Sequence, residues 1–178
     1  MMFSTKTEYG VRVMVELARR AQQGAGSADP VVPLAEIAAH DGLPLAYLEH
    51  LVAKLRKAGL VDSRRGSRGG YMLAREAGEI TMAEVVEALE GSIAPVDCIS
   101  LQHDGTIVCS RETHPGQACP TKLLWARVQG AIVGTLRQTT LADLLGANGR
   151  LGGALIPLAG PVPPGALSAE SRPMTSGA

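Results

Sequence analysis

The chain reads as a mainly α protein with a small β-wing, and three stretches lead there. Between residues 34 and 59 two short amphipathic patterns meet across Asp41-Gly42. Two β-type runs then flank a loop of glycines and arginines, and a wide apolar pattern of roughly 18 residues begins at Thr121. Two helices across a tight turn form a helix-turn-helix, whose second member fits a DNA major groove. The expected architecture is a winged helix-turn-helix DNA-binding domain followed by a long dimerisation helix.

Taken in order, Ser4 or Thr5 opens a first helix with Val11, Met14, Val15 and Ala18 as its apolar face. Residues 22–32, with Gly24, Gly26, Ser27 and Pro30, read as a loop. Leu34, Ile37 and Ala38 mark a short helix ended by Asp41-Gly42. The next begins at Leu43-Pro44-Leu45, with proline in its first turn and Gly59 as its C-cap. Leu48, Leu51, Val52 and Leu55 form one apolar stripe, while Tyr47, Glu49, His50, Lys54 and Lys57 take the other side.

Strands at residues 60–63 and 71–73 then bracket Arg64-Arg65-Gly66-Ser67-Arg68-Gly69-Gly70. The glycines allow a close turn, and Arg64, Arg65 and Arg68 stand at its tip with no acid among them. Such a hairpin suits phosphates or a narrow minor groove. An ordinary solvated hairpin is the plainer reading, but its place directly after a helix-turn-helix favours DNA.

Thr81-x-x-Glu84 is a capping-box signature, and Met82, Val85, Val86 and Leu89 carry a helix to Gly91. Residues 92–120, with Pro95, Gly105, Pro115 and Gly116, read as irregular, and so long a loop calls for an organiser such as a metal. From Thr121, Leu124, Val128, Ala131 and Thr135 fall on one line, with Trp125, Ile132 and Leu136 beside it. A helix of that length spans about 27 Å, and its apolar sector is wider than a small winged domain can cover. A homodimer contact is the expectation, because paired half-sites call for a two-fold protein; a core helix within one chain is the alternative. Residues 140–145 add a short helix. From Gly146 onward 12 of 33 residues are Gly or Pro, which reads as a disordered tail. The expected division is 1–78 for the DNA-binding domain, 79–145 for the cysteine loop and dimerisation helices, and 146–178 for the tail.

With 46% apolar and 19% charged residues the chain holds enough to fold, while 21 Gly and 11 Pro imply loops. Its formal net charge is zero, yet the distribution is uneven. Residues 45–75 carry seven Lys/Arg against Glu49 and Asp62, and residues 76–104 carry seven acids and no Lys or Arg. A basic module ahead of an acidic one orients a protein on a polyanion. No apolar run approaches 18 residues and no signal-peptide pattern occurs, so a cytoplasmic protein with no membrane partner is expected. No nucleophile–base set, phosphate loop or dinucleotide fingerprint points to an enzyme.

All three cysteines, Cys98, Cys109 and Cys119, lie in the irregular loop at steps of eleven and ten. Thiolates are soft ligands for iron–sulfur clusters or zinc, and an odd count argues against structural disulfides alone. Redox thiols are the other reading, since the spacing matches no common Cys-x-x-Cys pattern.

The ordered motif set is more specific. S-T-K-T-E-Y-G-V-R, P-L-A-E-I-A, L-P-L-A-Y-L-E-H-L, L-R-K-A-G-L-V, R-G-S-R-G-G-Y, I-T-M-A-E-V-V-E-A-L-E, three cysteines and L-L-W before the long helix resemble the IscR/NsrR/RirA family. The likeness runs from Phe3 to about Leu145. It implies a winged-helix, homodimeric transcription regulator, most simply a repressor of iron–sulfur assembly or iron-homeostasis genes. It also implies that Cys98, Cys109 and Cys119 hold a 2Fe–2S or 4Fe–4S iron–sulfur cluster.

Two departures stand out. The cysteine steps are wider than in IscR-like members, and Lys122 stands where those carry a ligating histidine. The resemblance then implies a fourth ligand from the partner subunit's amino terminus, here at Glu8. Thr5-x-x-Glu8 is itself a capping box, so both roles stay open for Glu8. His103 and His114 are further loop candidates, or plain solvated residues. For a double-stranded DNA operator, the resemblance implies base contacts from Ala46, Tyr47, Glu49 and His50 and wing contacts from Arg64, Arg65 and Arg68. Glu49 can accept from a cytosine amino group, or pair with Lys54 or Lys57. Ala46 replaces a hydroxyl residue of IscR, which leaves the operator sequence open.

Overall fold

The computed structural model describes residues 3–23, 31–66, 69–102, 106–112 and 118–147. The elements in order are α1 (Thr5–Gln23), α2 (Leu34–Asp41), α3 (Leu45–Lys57), β1 (Val61–Arg64), β2 (Gly70–Leu73), α4 (Met82–Glu90), β3 (Ile99–Leu101), β4 (Ile107–Cys109), α5 (Lys122–Gln138) and α6 (Leu141–Ala147). The expected fold class is what the chain adopts: helices with a small wing. Arg68, His103, His114 and the tail from residue 148 lie outside the described residues.

The helix-turn-helix forms as its pattern dictates. Gly42 takes φ 64°, a left-handed conformation that ends α2 and turns the chain into Leu43. Pro44 sits one position earlier than expected: it is the N-cap residue, with φ −63° and ψ 123°, rather than a first-turn residue. Leu48, Leu51, Val52 and Leu55 are all fully buried, each contributing on the order of 2 kcal/mol relative to exposure. The core they enter also takes Val13, Met14 and Leu17 of α1, Ile37 of α2, Val85 and Leu89 of α4, and Leu141 of α6.

The face of α1 differs from expectation. Val13, Met14, Leu17 and Ala18 are buried, whereas Val11 and Val15 are half-buried at the edge of the core. The valines at 11, 13 and 15 allow two overlapping stripes. Packing selects between them, because Gly10 lies so close to Leu89 that a Cβ there would come within 2.2 Å of its Cδ1.

The wing is a two-stranded antiparallel sheet pairing Val61 with Leu73 and Arg64 with Gly70. A third segment joins it: Val32 N donates to Tyr71 O at 2.8 Å, and Tyr71 N donates to Val32 O at 2.9 Å. Gly70 is required there, since a Cβ would sit 2.4 Å from Val32 O.

The capping box of α4 is present, with Thr81 Oγ1 accepting from Glu84 N and Glu84 accepting from Thr81 N. The stretch read as wholly irregular contains a second hairpin, in which Ile99 pairs with Cys109 and Leu101 with Ile107. Three-residue strands leave too short an alternation to read beforehand. Among the described residues no helix is long and apolar enough to cross a membrane.

Candidate DNA interface and thiol site

On α3, Ala46, Glu49 and His50 are exposed beside the buried stripe. Tyr47 is half-buried and meets Tyr9 of α1 edge-to-face, with ring centroids 6.0 Å apart and planes at 88°. That contact anchors the start of α3 to the core. Glu49 does not pair with Lys54. Lys54 is half-buried instead and its Nζ donates to Leu89 O at 3.5 Å, at the end of α4. Arg56 at the other end of α3 donates to Ser63 Oγ at 3.0 Å, joining the helix to β1.

Arg64 and Arg65 are exposed on the wing, and Gly66 at its tip has φ 124°, a conformation that favours glycine. Arg75, counted in the basic module, is engaged with Glu84 at 2.7 Å. The exposed cations of α3 and the wing therefore stand on one continuous segment with the exposed side of α3, as a surface for a duplex needs.

The second site is built by the second hairpin and the start of α5. Cys98 precedes β3, Cys109 ends β4, and Cys98 O accepts from Ser110 N at 2.9 Å. Cys109 is buried, with 1% of its surface exposed, while Cys98 and Cys119 are half-buried. Cys98 and Cys119 line one cavity of about 960 Å3 together with Asp97, Arg111, Thr121 and Trp125.

Cys109 and Cys119 influence each other. The Thr121 hydroxyl and backbone N–H lead in lowering the Cys119 pKa, with a contribution from the Cys109 thiol. For Cys109, an N–H from Arg111 acts downward, but burial and the neighbouring Cys119 and Cys98 outweigh it and raise the thiol. Cys119 is thus the more readily ionised of the two.

Glu112 ties the end of the second hairpin to the start of α5. Its carboxylate accepts from Lys122 Nζ at 2.6 Å and from Cys119 N at 3.1 Å, contacts that lower its pKa in that order. Lys122, at the position where the resemblance implied a ligating histidine, is therefore occupied by an ion pair.

Among the described residues no group of three His, Cys, Asp or Glu side chains is placed to hold a single metal ion. A multi-iron cluster spaces its thiolates around a larger body than one ion. Cys98 and Cys119 open onto the cavity and Cys109 is buried beside them, so the thiols are separate donors of the soft kind such a cluster takes.

Glu8 lies elsewhere, on an apolar cavity of about 550 Å3 walled by Phe3, Val11, Met82, Val86, Leu136 and Leu144. It forms no capping box. The helix starts at Thr5, and Glu8 Oε1 accepts from Arg12 Nε at 2.8 Å. The helix start is held instead by Glu90, which accepts from Ser4 N at 2.9 Å, Ser4 Oγ, Thr7 Oγ1 and Lys6 Nζ. Sequence reasoning missed this role, because it joins residues more than 80 positions apart.

A helix-turn-helix with a basic wing, joined to a thiol-bearing loop and a long helix, defines a winged-helix DNA-binding transcription regulator. The chain belongs to the Rrf2 family, whose model, described as an iron-dependent transcriptional regulator, matches residues 3–147. It is 37% identical over 145 residues to the HTH-type transcriptional regulator IscR of Photorhabdus laumondii, covering 82% of this chain and 79% of that one. Among solved structures it is similar to IscR of T. potens, with TM-score 0.65 and 35% identity over 88% of this chain and 94% of that one. It is also similar to CymR, the global cysteine regulator of B. subtilis, with TM-score 0.64 and 35% identity over 83% and 98% of the two chains.

Proposed function

We propose that this regulator is a homodimeric, cytoplasmic repressor whose affinity for its operator is set by an iron–sulfur cluster on Cys98, Cys109 and Cys119. The observation that supports the reading is a cavity lined by Cys98 and Cys119, with the buried Cys109 thiol interacting with both, one helix further along the chain than the wing. A bound cluster would supply a site whose loss or oxidation reports iron shortage, oxidants or nitric oxide. The chain's own residues do the rest. Glu112 and Lys122 brace Cys119, and the exposed Leu124 line of α5 meets a second copy. Ala46, Tyr47, Glu49 and His50 address the major groove, and Arg64, Arg65 and Arg68 the backbone or minor groove. Glu8, on a different cavity of its own chain, serves the partner's thiols as the fourth ligand. Iron–sulfur assembly or iron-homeostasis genes are the proposed targets.

The direct interaction of Cys109 with Cys119 also supports a second reading, a thiol-redox or zinc-dependent regulator of the same fold. Anaerobic absorption with iron and sulfide counts separates the two. A visible charge-transfer band with stoichiometric sulfide is expected, and colourless protein without sulfide refutes the cluster. Operator titration then compares loaded with stripped protein, and equal affinities would end the sensing role.

A further inference from the structure

The end of α4 is a junction of three parts of the molecule. Leu89 O receives the Lys54 ammonium of α3, and the Glu90 carboxylate receives the first turn of α1. Gly91, with φ 86°, then carries the chain straight into the loop that reaches Cys98. Gly10 of α1 packs directly against the Leu89 side chain, where a Cβ would come within 2.2 Å of Cδ1, so α1 and the last turn of α4 are in close contact. Lys54 is the member that belongs to the reading helix. An ammonium at a helix C-terminus is held by unsatisfied carbonyls and by the helix dipole. It is correspondingly withdrawn from the phosphates that Lys54 would meet if it shared the open face with Glu49 and His50.

We propose that Lys54 is a positioning residue: it ties the aim of α3 to the C-terminal end of α4, and through Gly91 to the state of the cysteine loop. A rearrangement of the loop displaces the Leu89 carbonyl, and Lys54 passes that displacement to the helix in the groove. The ammonium must favour one arrangement of the junction over the other, which is what links loop state to DNA affinity. This inference rests on the proposed dependence of DNA affinity on that loop.

The test uses full-length protein and a duplex selected from a random-sequence library with the wild type. Affinity is measured for protein reconstituted with ferrous iron and sulfide against protein stripped with ferricyanide and EDTA, and for reduced against diamide-oxidised protein. In whichever pair the wild type discriminates, Lys54→Met brings the affinity ratio towards one and leaves the slope of log affinity on log salt unchanged. Lys54→Arg restores the ratio. A Lys54→Met protein that keeps the wild-type ratio, or loses about one unit of salt slope as a phosphate contact does, overturns the proposal alone. A wild type that binds equally in every state overturns it together with the sensing role.

Discussion

Glu90 shows how one side chain settles a helix start. Burial works against its ionisation, yet Lys6, Ser4 and Thr7 outweigh burial and hold its pKa at about 2. An unfolded glutamate titrates near 4.3. The depressed folded value means that this carboxylate stabilises the protein fully above about pH 5, and that the stabilisation is lost as pH falls through 2. The side chain is 14% exposed, so screening leaves roughly 1–2 kcal/mol of the effect at neutral pH. Glu90→Gln should lower the unfolding free energy by about that amount at pH 7, and the gap should close as pH falls from 5 towards 2. Urea unfolding across that range checks it; a gap independent of pH would assign the loss to packing.

At the scale of elements, α5 divides its apolar residues unequally. Val133 is buried against α4 with Ile132 and Leu136 beside it, and buried Gln129 donates to Ile93 O at 2.7 Å. Of the predicted line, Leu124, Ala131 and Thr135 are exposed and Val128 is half-buried; Leu124 is 55% exposed and the neighbouring Leu123 63%. A leucine pair at a helix start that no described residue covers is suited to a symmetric contact. Leu124→Asp should therefore shift sedimentation from dimer to monomer and weaken operator binding at least tenfold. Helix content and monomer stability should stay near wild type, because the side chain leaves no hole in its own chain. A dimer that survives the substitution would put the interface elsewhere.

The whole molecule carries no net charge, but its charges are sorted along the chain and in space. Arg65 is exposed on the wing, while Arg75 and Lys54 are taken up by Glu84 and the end of α4. The cations that release counterions from DNA are thus fewer than a count of the basic segment suggests. Arg65→Ala should reduce the salt slope of operator binding by about one and weaken binding to all sequences alike. Titrations between low and moderate salt test this, and an unchanged slope would take Arg65 out of the interface.

Much of this was legible beforehand because it is local. The stripe of α3, the Gly42 turn, the arginine wing and the Thr81 capping box each lie within one or two helical turns, where spacing alone sets geometry. The gathering of the cysteines in one loop was equally plain, though the hairpin that orders two of them was not. Three features waited on the tertiary structure. The phase of α1 was selected where Gly10 meets Leu89, the diversion of Lys54 to α4 depended on where that helix ends, and Glu90 took a cap that Glu8 was free to fill. Each depends on which distant backbone comes within a few ångströms of a side chain. Short-range periodicity carries no information about that, because only the packing of the whole core decides it.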